Sequence, residues 1–432
     1  MENYYQENIE CASYETLRDL QNRRFLRQVR HVWENVPYYR KKMEEAGVTQ
    51  EDIHGLEDLH RLPFLNKEDL RQAYPDGLLA VPKSCVTRVH STSGTTGRRV
   101  LAFYTQHDLD LWRDCVARAF TAAGLSRDDV VQIAYGYGLF TGGLGVHDGS
   151  ERVGCMTVPM STGSTDRQLQ FMEDLGVTGI CCTPSYATYL GECVRERKLK
   201  DRLKLRVGIF GAEAWSEEMR REIQQDLGIR AYDIYGLTEL SGPGVAYECS
   251  VQNGMHINED HFYVETVDPD TGEVLPEGRQ GELVFTALDK EAFPLIRYRT
   301  HDICILTREK CACGRTFVKM CRSMGRSDDM LIVKGVNVFP SQIETVLLEQ
   351  GYTANYQIIL DRVNHSDTIE VLVEMSPDNF SDSLARIAEQ EKKLVNALKE
   401  MLGILVKVRL AAPKSLARSE GKAVRVIDRR KI

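Results

Sequence analysis

Short β-rich segments alternate with helix-like segments between residues 129 and 235, and this alternation limits the possible folds more than any other feature of the chain. Segments such as VVQIAYGY, VTGICCTP and LRVGIFGAE are apolar and bounded by glycine or proline, whereas DRQLQFMEDLG and SEEMRREIQQDLG have the composition of helices. Strands and helices in this order predict crossovers between parallel strands. Because the strands are apolar along nearly their whole length, we expect a sheet covered on both faces.

The pattern changes after Glu259, where β-rich segments are joined by turns instead of helices. Residues 261–267 and 281–288 form two such segments, and Asp270-Thr271-Gly272 lies between them as a turn. Strands joined in this way pair antiparallel. We therefore expect a smaller antiparallel β subdomain that begins near residue 259.

The last hundred residues predict a compact α+β domain. We expect strands at 330–334, 356–360 and 369–375, a helix from Ser341 and a long charged helix from about Asp382. A polar Ser-Asp-Asp segment after Arg326 separates two apolar stretches as a linker would. The predicted fold class is α/β, with a large N-terminal domain at 1–326 and a small C-terminal domain at 327–432.

Composition excludes several classes of protein. A chain of 432 residues is long enough for two or three domains, and 42% hydrophobic with 27% charged residues is typical of a soluble globular protein. The net charge of -8 argues against a nucleic-acid-binding protein, which is ordinarily basic. No apolar run approaches the roughly 20 residues that span a bilayer, and the polar N-terminus lacks the apolar core of a signal peptide. We expect a cytoplasmic protein with no nucleic-acid or membrane partner.

The twelve cysteines, in a chain without a secretion signal, indicate buried thiols or metal ligands rather than disulfides. Cys155, Cys181, Cys182 and Cys304 lie in apolar strand-like segments, so we expect them in the core.

Residues 91–99, Ser-Thr-Ser-Gly-Thr-Thr-Gly-Arg-Arg, have the composition of a phosphate-binding loop. Glycine lets the backbone approach a ligand closely, so N–H groups and hydroxyls can converge on an anion while arginines supply positive charge. The segment does not fit G-x-x-x-x-G-K-[ST], and we expect strands on both sides, at 85–90 and 99–104, with Thr105 as the N-cap of a following helix. A plain surface turn is the alternative interpretation.

This S-T-S-G-T-T-G run resembles the phosphate loop of the adenylate-forming enzymes, the superfamily of acyl-CoA synthetases, luciferases and peptide-synthetase adenylation domains. The resemblance implies a large N-terminal domain, made of parallel-sheet α/β subdomains and a β subdomain, with a small α+β domain on a hinge. It also implies ATP and Mg²⁺ as ligands, with Thr95 taking part in catalysis. The loop residues that would contact ATP are Ser91, Thr92, Ser93, Gly94, Thr95, Thr96 and Gly97.

Later segments follow the order of the superfamily's motifs. The segment from Asp233 to Glu239 resembles Y-G-x-[ST]-E, which implies that Tyr235 lies along the adenine and that Glu239 holds Mg²⁺. Tyr-Arg-Thr-His-Asp at 298–302 resembles Y-R-T-G-D, so Asp302 would accept hydrogen bonds from the ribose, with His301 in place of the motif's glycine. The remaining implied ATP contacts in these strand-end segments are Gly211, Ala212, Glu213, Asp233, Gly236 and Thr238.

The C-terminal motifs imply a moving domain. Arg326 would contact the ribose, Asp328 would be the hinge pivot, and Lys334-Gly335 would enter the site for the coenzyme A step. Gly421-Lys422 resembles the terminal G-K motif, which implies that Lys422 pairs with the substrate carboxylate and the α-phosphate during adenylation. Taken alone, these residues form a solvated charge cluster.

Within the superfamily the chain resembles the phenylacetate-coenzyme A ligase family. The resemblance rests on YGYGLFTGG at 135–143, RSMGRSDDM at 322–330 and GVNVFPSQIE at 335–344. It implies an aromatic acid and coenzyme A as substrates, and a homodimer. The residues that would line the acid pocket are Tyr135, Gly136, Phe140, Gly211, Ile234 and Pro243. Tyrosines and glycines in such a segment also fit a core and a bend.

Four residues could hold a metal ion. Cys249, His256, Cys311 and Cys313 make a Cys₃His set, a composition typical of a closed structural zinc site, and His261 is an alternative ligand. Free thiols are the other interpretation of the C-x-C pair.

We therefore expect a two-step ligase that forms an aryl-acetyl adenylate from ATP and transfers the acyl group to coenzyme A. Two alternatives stay open: an enzyme that loads a carrier-protein thiol or an amine, and an inactive nucleotide-binding sensor. The presence of Glu239 and Lys422 favours catalysis.

Overall fold

A computed structural model describes residues 4–92, 99–321, 331–333, 336–363, 366–376, 380, 384–416 and 425–430. The chain divides into two compact units: Met1–Cys182, Asp201–Ala212 and Ile229–Ser323 form the first, and Thr183–Lys200, Glu213–Gly228 and Met324–Ile432 form the second.

The helices are α1 (Glu7–Glu10), α2 (Tyr14–Asn35), α3 (Pro37–Glu45), α4 (Lys67–Gln72), α5 (Gln106–Ala122), α6 (Thr141–Val153), α7 (Thr165–Asp174), α8 (Pro184–Glu196), α9 (Glu217–Leu227), α10 (Pro340–Glu349) and α11 (Leu384–Leu402).

The strands are β1 (Arg88–Ser91), β2 (Leu101–Tyr104), β3 (Val130–Ile133), β4 (Met156–Val158), β5 (Gly179–Cys182), β6 (Val207–Gly211), β7 (Arg230–Leu237), β8 (Gly242–Glu248), β9 (Met255–Ile257), β10 (Phe262–Val267), β11 (Val274–Leu275), β12 (Gln280–Ala287), β13 (Tyr298–Thr307), β14 (Lys319–Met320), β15 (Leu331–Val333), β16 (Val336–Val338), β17 (Tyr356–Val363), β18 (Ser366–Glu374), β19 (Lys407–Ala411) and β20 (Val426–Asp428).

The first unit is built around a 12-stranded sheet with the order β11-β10-β12-β13-β14-β9-β8-β7-β6-β5-β3-β4. β4, β3, β5, β6 and β7 pair parallel, which confirms the crossovers predicted from the alternation. Residues in β5 and β6 are buried throughout, as their apolar sequences require. Since parallel strands end at one edge, the carboxyl ends of β3, β6 and β7 lie together there.

The antiparallel region differs from the prediction in where it begins. β7 and β8 already pair antiparallel, so the change of direction occurs at Gly242 and not near residue 259. The antiparallel strands also continue the same sheet instead of forming a separate one. The predicted β segments at 261–267 and 281–288 are confirmed as the paired strands β10 and β12.

Local signals in the sequence fix several helix ends. Thr105 caps α5: its hydroxyl accepts the amide of Asp108, whose carboxylate accepts the amide of Thr105 at 2.9 Å. Gly154 ends α6 and Gly228 ends α9 with φ of 93° and 72°, a left-handed conformation that suits glycine. The ends of α6 and α9 set where the next strands, β4 and β7, begin.

The C-terminal residues of the second unit form an α+β arrangement. β17 and β18 pair antiparallel over eight positions, and β19 and β20 flank them in the order β19-β18-β17-β20. α10 and α11 match the predicted helices, whereas β19 and β20 were not predicted. The predicted boundary at residue 326 lies outside the described residues, so it remains a prediction.

The expected core cysteines are buried, with Cys155 at 7% exposure and Cys181, Cys182 and Cys304 at 0%. Among the described residues, no helix is both long enough and apolar enough to cross a membrane.

Candidate active site

The described residues on either side of the predicted phosphate loop belong to a β-hairpin. β1 and β2 pair antiparallel, and Thr92 closes the hairpin because its hydroxyl accepts the amide of Val100 at 3.1 Å. The strand before the loop begins at Arg88, three residues later than predicted, because residues 83–85 form a 3₁₀ turn. Strands on both sides of the loop are confirmed.

The hairpin is tied to the Tyr-Gly segment. The amide of Ser91 donates to the carbonyl of Leu139 at 2.8 Å, and the Nδ1 atom of His90 lies 3.1 Å from the same oxygen. Ser91, the first residue of the loop motif, and Leu139 of the Tyr-Gly segment therefore meet at one backbone carbonyl, although they are 48 residues apart in the sequence.

Tyr135 joins the end of β3 to the end of β6. Its hydroxyl accepts the amide of Gly211 at 2.9 Å and donates to the Gly211 carbonyl at 3.3 Å. A Cβ atom at Gly211 would lie 2.2 Å from the carbonyl oxygen of Ile234, so only glycine lets these strands come this close. Three of the predicted acid-pocket residues are thereby neighbours.

The other predicted acid-pocket residues lie in different environments. Pro243 pairs with Gly236 in the sheet, and its carbonyl accepts the indole N–H of Trp112 at 2.8 Å. Phe140 is 45% exposed, immediately before α6. Trp112 was not predicted, because its place beside β8 follows from the packing of α5 and not from any motif.

The adenine and ribose candidates are paired with each other. The hydroxyl of Tyr235 donates to the Asp302 carboxylate at 2.5 Å, and its ring stacks on Phe285 at a centroid distance of 6.2 Å. Asp302 is 6% exposed. His301, where the resembling motif has glycine, adopts φ of 65°, the left-handed conformation that glycine takes without strain.

Glu239, the magnesium candidate, is 4% exposed. The hydroxyl of Tyr298 donates to its carboxylate at 3.5 Å, and the Nζ atom of Lys67 lies 3.8 Å from the same oxygen. Neither neighbour was predicted. Tyr298 could have been found, because it opens the motif that contains Asp302, whereas Lys67 comes from a remote helix.

Thr238 joins this site to the hairpin and to α6. Its carbonyl accepts the hydroxyl of Tyr104 at 3.2 Å, and its own hydroxyl lies 3.2 Å from that of Thr141. Asp233 donates its backbone amide to Glu248 at 2.8 Å.

A buried lysine contacts the backbone of Leu240, the residue after Glu239. Lys290 donates to the Leu240 carbonyl, and its Nζ atom lies 4.3 Å from the centre of the Tyr104 ring. Burial lowers the pKa of Lys290 from 10.5 to about 8, although the negative charges of Asp108 and Glu239 oppose this shift.

Within the second unit, Glu213 accepts the amide of Ser185 at 3.2 Å as well as its hydroxyl. Ala212, the residue before it, has φ of 71°. Several predicted site residues lie outside the described residues: Ser93, Gly94, Thr95, Thr96, Gly97, Arg326, Asp328, Lys334, Gly335 and Lys422.

Cys249, His256, Cys311 and Cys313 converge in the first unit. All four are buried, and their ligand atoms lie within 4.8 Å of one another. The sulfurs of Cys249 and Cys311 are 3.7 Å apart, and the Cys313 sulfur is 3.4 Å from His256 Nε2. The other ring nitrogen of His256 lies 3.2 Å from the carbonyl of Phe317.

Hydrogen bonding shifts the pKa values of this cluster in opposite directions: the bond between Cys249 and Cys313 raises the pKa of Cys249 and lowers that of Cys313. A hydrogen bond from Cys249 lowers the pKa of Cys313 to about 2, which keeps that sulfur ionised. Burial opposes ionisation of Cys311, but hydrogen bonding from His256 lowers the pKa of its thiol. His261 does not belong to the cluster, since its Nε2 atom lies 3.0 Å from the Asp260 carboxylate.

Comparisons with known proteins agree with this arrangement. Residues 69–287 match the family model of the AMP-binding enzymes, and residues 335–430 match that of the AMP-binding enzyme C-terminal domain. The phenylacetate-coenzyme A ligase of Thermus thermophilus is 46% identical over 99% of this chain and 100% of its own length. That of Pseudomonas putida is 47% identical over 98% of this chain and 96% of its own.

Solved structures agree as well. A crystal structure of 2-hydroxyisobutyryl-CoA ligase with an acyl-AMP in the postadenylation state is 29% identical, with a TM-score of 0.91, 98% of this chain covered and 91% of that chain. A structure of the same ligase with acyl-AMP and CoA in the thioesterification state is 30% identical, with a TM-score of 0.73 and coverage of 99% and 93%.

Identities of 46–48% over nearly the whole chain and the match to the AMP-binding enzyme model lead to one assignment. The chain belongs to the phenylacetate-coenzyme A ligase family of AMP-binding enzymes, and it is an AMP-forming acid–thiol ligase that makes an acyl-CoA thioester from ATP, a carboxylic acid and coenzyme A through an acyl adenylate.

Proposed function

We propose that the acid substrate is an aryl-acetic acid of the phenylacetate type. The observation that carries this proposal is the full-length similarity to four phenylacetate-coenzyme A ligases at 46–48% identity. The contact of Tyr135 with Gly211 supports it, because this aromatic side chain stands where the strand ends meet. An aromatic face beside close-packed backbone suits a flat apolar ring.

The reaction has two balanced steps. A carboxylate oxygen of the acid attacks the α-phosphorus of ATP, and pyrophosphate leaves. The coenzyme A thiol then loses its proton and attacks the carbonyl carbon, and AMP leaves. Holding the reactants in line supplies much of the acceleration, up to roughly 7–11 kcal/mol.

Tyr235 and Asp302 are proposed to bind the nucleoside. In the structure they satisfy each other through a hydrogen bond of 2.5 Å, so ribose hydroxyls can replace the tyrosine donor without leaving the carboxylate unpaired. Glu239 is proposed to hold Mg²⁺, whose charge would offset that of the phosphates when bound. Its buried carboxylate oxygen fits a hard cation.

The domains 1–326 and 327–432 are proposed to act as a body and a moving part. Asp328 would be the pivot, Arg326 a ribose contact, and Lys334-Gly335 the loop used in thioester formation. Lys422 would neutralise the carboxylate and α-phosphate in the first step. These roles rest on the motifs, since all five residues lie outside the described residues.

Zinc is proposed for the Cys₃His cluster. With Zn–S near 2.3 Å and Zn–N near 2.0–2.1 Å, a tetrahedral ion separates two sulfur ligands by about 3.8 Å and a sulfur from a nitrogen by about 3.6 Å. The observed separations of 3.7 Å and 3.4 Å fit these values. A closed set of four protein ligands indicates a structural ion that joins the segment after β8 to the segment after β13.

A homodimer in the cytoplasm is proposed from the family resemblance. Light scattering during size-exclusion chromatography should give twice the 49.0 kDa mass of one chain. A single-chain mass at all concentrations would contradict the dimer.

The substrate is tested with exchange of labelled pyrophosphate into ATP. We expect phenylacetate and its ring-hydroxylated forms to exceed benzoate and fatty acids by at least about tenfold in rate, since a misfit of one methylene or ring is worth roughly 1–3 kcal/mol. Thioester should then form only when coenzyme A is added. Equal exchange rates with fatty acids and with phenylacetate would overturn the assignment of an aryl-acetic substrate. Acyl transfer to another acceptor would overturn the assignment of coenzyme A as the acyl acceptor.

Zinc is tested by elemental analysis of protein purified without added metal. We expect about one equivalent of zinc per chain in wild type. This zinc should be lost when Cys313 is replaced. Metal-free protein in which Cys249, Cys311 and Cys313 all react with a thiol reagent would remove the proposal.

A further inference from the structure

Two cysteines outside the zinc cluster lie in direct contact. Cys304 is in β13 and Cys321 is the first residue after β14, and their sulfur atoms are 3.1 Å apart. Cys304 is fully buried, whereas Cys321 is partly exposed. The reaction described above uses neither thiol.

The backbone holds this pair in place. The amide of Cys321 donates to the carbonyl of Ile305 at 2.9 Å, and the amide of Ile305 donates to the Cys321 sulfur at 3.1 Å. The Cys304 thiol lies 3.2 Å from the Cys321 carbonyl. Because both residues are anchored to the same pair of strands, the two sulfurs stay close while the sheet is folded.

The pair is chemically asymmetric. The Cys321 sulfur accepts a hydrogen bond from the Ile305 amide, which stabilises a thiolate, and it lies in hydrogen-bond contact with the Cys304 sulfur. The hydrogen bond from Cys304 lowers the pKa of Cys321 to about 7, despite partial burial. Cys321 is thus the reactive thiol and Cys304 the buried one beside it.

We propose that Cys321 and Cys304 form a reversible disulfide when the enzyme meets a hydroperoxide. A disulfide needs sulfur atoms about 2.05 Å apart, roughly 1 Å closer than the two thiols are here. The bond would fasten the residue that precedes segment 322–330 to the strand that carries Asp302, two residues before Cys304.

The disulfide would form in two steps, first oxidation of Cys321 and then attack by Cys304. The Cys321 thiolate attacks one peroxide oxygen, the O–O bond breaks, and water or an alcohol leaves with a proton, so that Cys321 becomes a sulfenic acid. The Cys304 sulfur then attacks the Cys321 sulfur, the S–O bond breaks, and water leaves with the Cys304 proton. The cysteines lose two electrons and the peroxide gains two.

The sequence allows a clean test by peptide mapping. Trypsin releases Cys304 in peptide 300–308 and Cys321 in peptide 320–322, and neither peptide contains another cysteine. After hydrogen peroxide treatment of the intact protein and blocking of thiols, we expect these two peptides to appear joined, with the loss of two hydrogen atoms. Dithiothreitol should separate them again.

Variants separate the two steps. In Cys304→Ala, a sulfenic acid at Cys321 should accumulate at least about tenfold above wild type and be trapped by a 1,3-diketone, because no partner thiol removes it. In Cys321→Ser, Cys304 should remain a thiol. Cys85→Ser removes an exposed cysteine and should leave the cross-link unchanged.

Two results would overturn the proposal. One is equal sulfenic acid at Cys321 in wild type and Cys304→Ala, which would mean that Cys304 never attacks. The other is a wild-type protein whose Cys85 is oxidised while peptides 300–308 and 320–322 remain separate thiols. Because the readout is a mass and not an activity, it does not depend on which acid the enzyme uses.

Discussion

The Cys₃His cluster and the described residues of the proposed nucleotide site, Tyr235, Glu239 and Asp302, lie in the same unit but hold their polar groups in opposite ways. In the cluster, three sulfurs and a ring nitrogen face one another, and hydrogen bonding keeps Cys313 ionised. In the proposed nucleotide site the described candidates are hydrogen-bonded to neighbouring side chains: Tyr235 donates to Asp302, and Tyr298 donates to Glu239. Metal-ligating atoms that converge in a buried site are stabilised by a bound ion. Polar groups that are hydrogen-bonded to a neighbouring side chain can instead exchange that hydrogen bond for one to the substrate.

The comparison therefore predicts different consequences of mutation. Loss of a cluster residue should act on stability, and loss of a nucleotide-site residue should act on rate or affinity. The following experiments test this division in order of the size of the effect.

Replacing Cys313 with alanine should cause the largest change. If the cluster holds zinc, Cys313→Ala removes a ligand and should lower the free energy of unfolding by about 4 kcal/mol or more. Urea unfolding measures this, with bound zinc followed in the same samples. Cys181→Ala is the matched control, because Cys181 is equally buried but binds no ion, and it should cost about 1 kcal/mol.

A chelator separates zinc from packing in the same experiment. Wild type should lose stability when the metal is removed, whereas Cys313→Ala should not respond. Equal losses for Cys313→Ala and Cys181→Ala, with no chelator effect, would make the cluster an ordinary part of the core.

Lys422→Ala should affect rate without affecting stability. Because Lys422 is proposed to offset charge in the adenylation transition state, its loss should slow pyrophosphate exchange by about 10²–10³-fold. Conversion of a supplied acyl adenylate into thioester should be nearly unchanged. Lys407→Ala removes an exposed lysine in β19 and should leave both steps intact.

The outcome for Lys422 also tests the moving domain. A lysine that serves one half-reaction must leave the site in the other. An equal loss in both steps would mean that residue 422 stays in place throughout.

The sequence predicted the parallel strands and the strand-end motifs because both depend on local patterns. Apolar runs bounded by glycine or proline identify β5 and β6 without knowledge of their partners. The continuity of the sheet could not be predicted, because the turn from β7 to β8 carries no signal that distinguishes one sheet from two. The prediction therefore placed the antiparallel region too late.

Contacts between motifs could not be predicted from the sequence either. Nothing near Tyr135 indicates that its hydroxyl meets Gly211, and nothing near Glu239 indicates Lys67 or the buried Lys290. Such pairs depend on how strands are ordered in the sheet. The Cys₃His set with His256 was predicted from its residue types, and the structure removes the alternative ligand His261, which lies beside Asp260.

Asp302→Asn and Tyr235→Phe test whether the nucleotide site exchanges partners. Loss of the Asp302 charge should raise the KM for ATP by about 10–100-fold, since hydrogen bonds to a charged group contribute about 1.5–3 kcal/mol. If ribose replaces the Tyr235 hydroxyl on Asp302, Tyr235→Phe keeps the stacking ring and should raise the KM less than about threefold. Equal increases would show that the hydroxyl itself is needed when ATP is bound.

Lys290→Met should give the smallest change, which is a change in how the free energy of unfolding depends on pH. The pKa of Lys290 is lowered to about 8 in the folded protein, so between pH 8 and 10.5 the unfolded chain binds more protons than the folded chain. Stability from this group therefore rises with pH across that window and falls as the pH drops through 8. From pH 8 to pH 9 the free energy of unfolding of wild type should increase by about 1 kcal/mol relative to that of Lys290→Met.

Lys83→Met, which removes an exposed lysine, is the control, and its free energy of unfolding should change with pH in parallel with that of wild type. If the stability of Lys290→Met changes with pH in parallel with wild type as well, burial does not destabilise the charge of Lys290, and the charges of Asp108 and Glu239 compensate it fully.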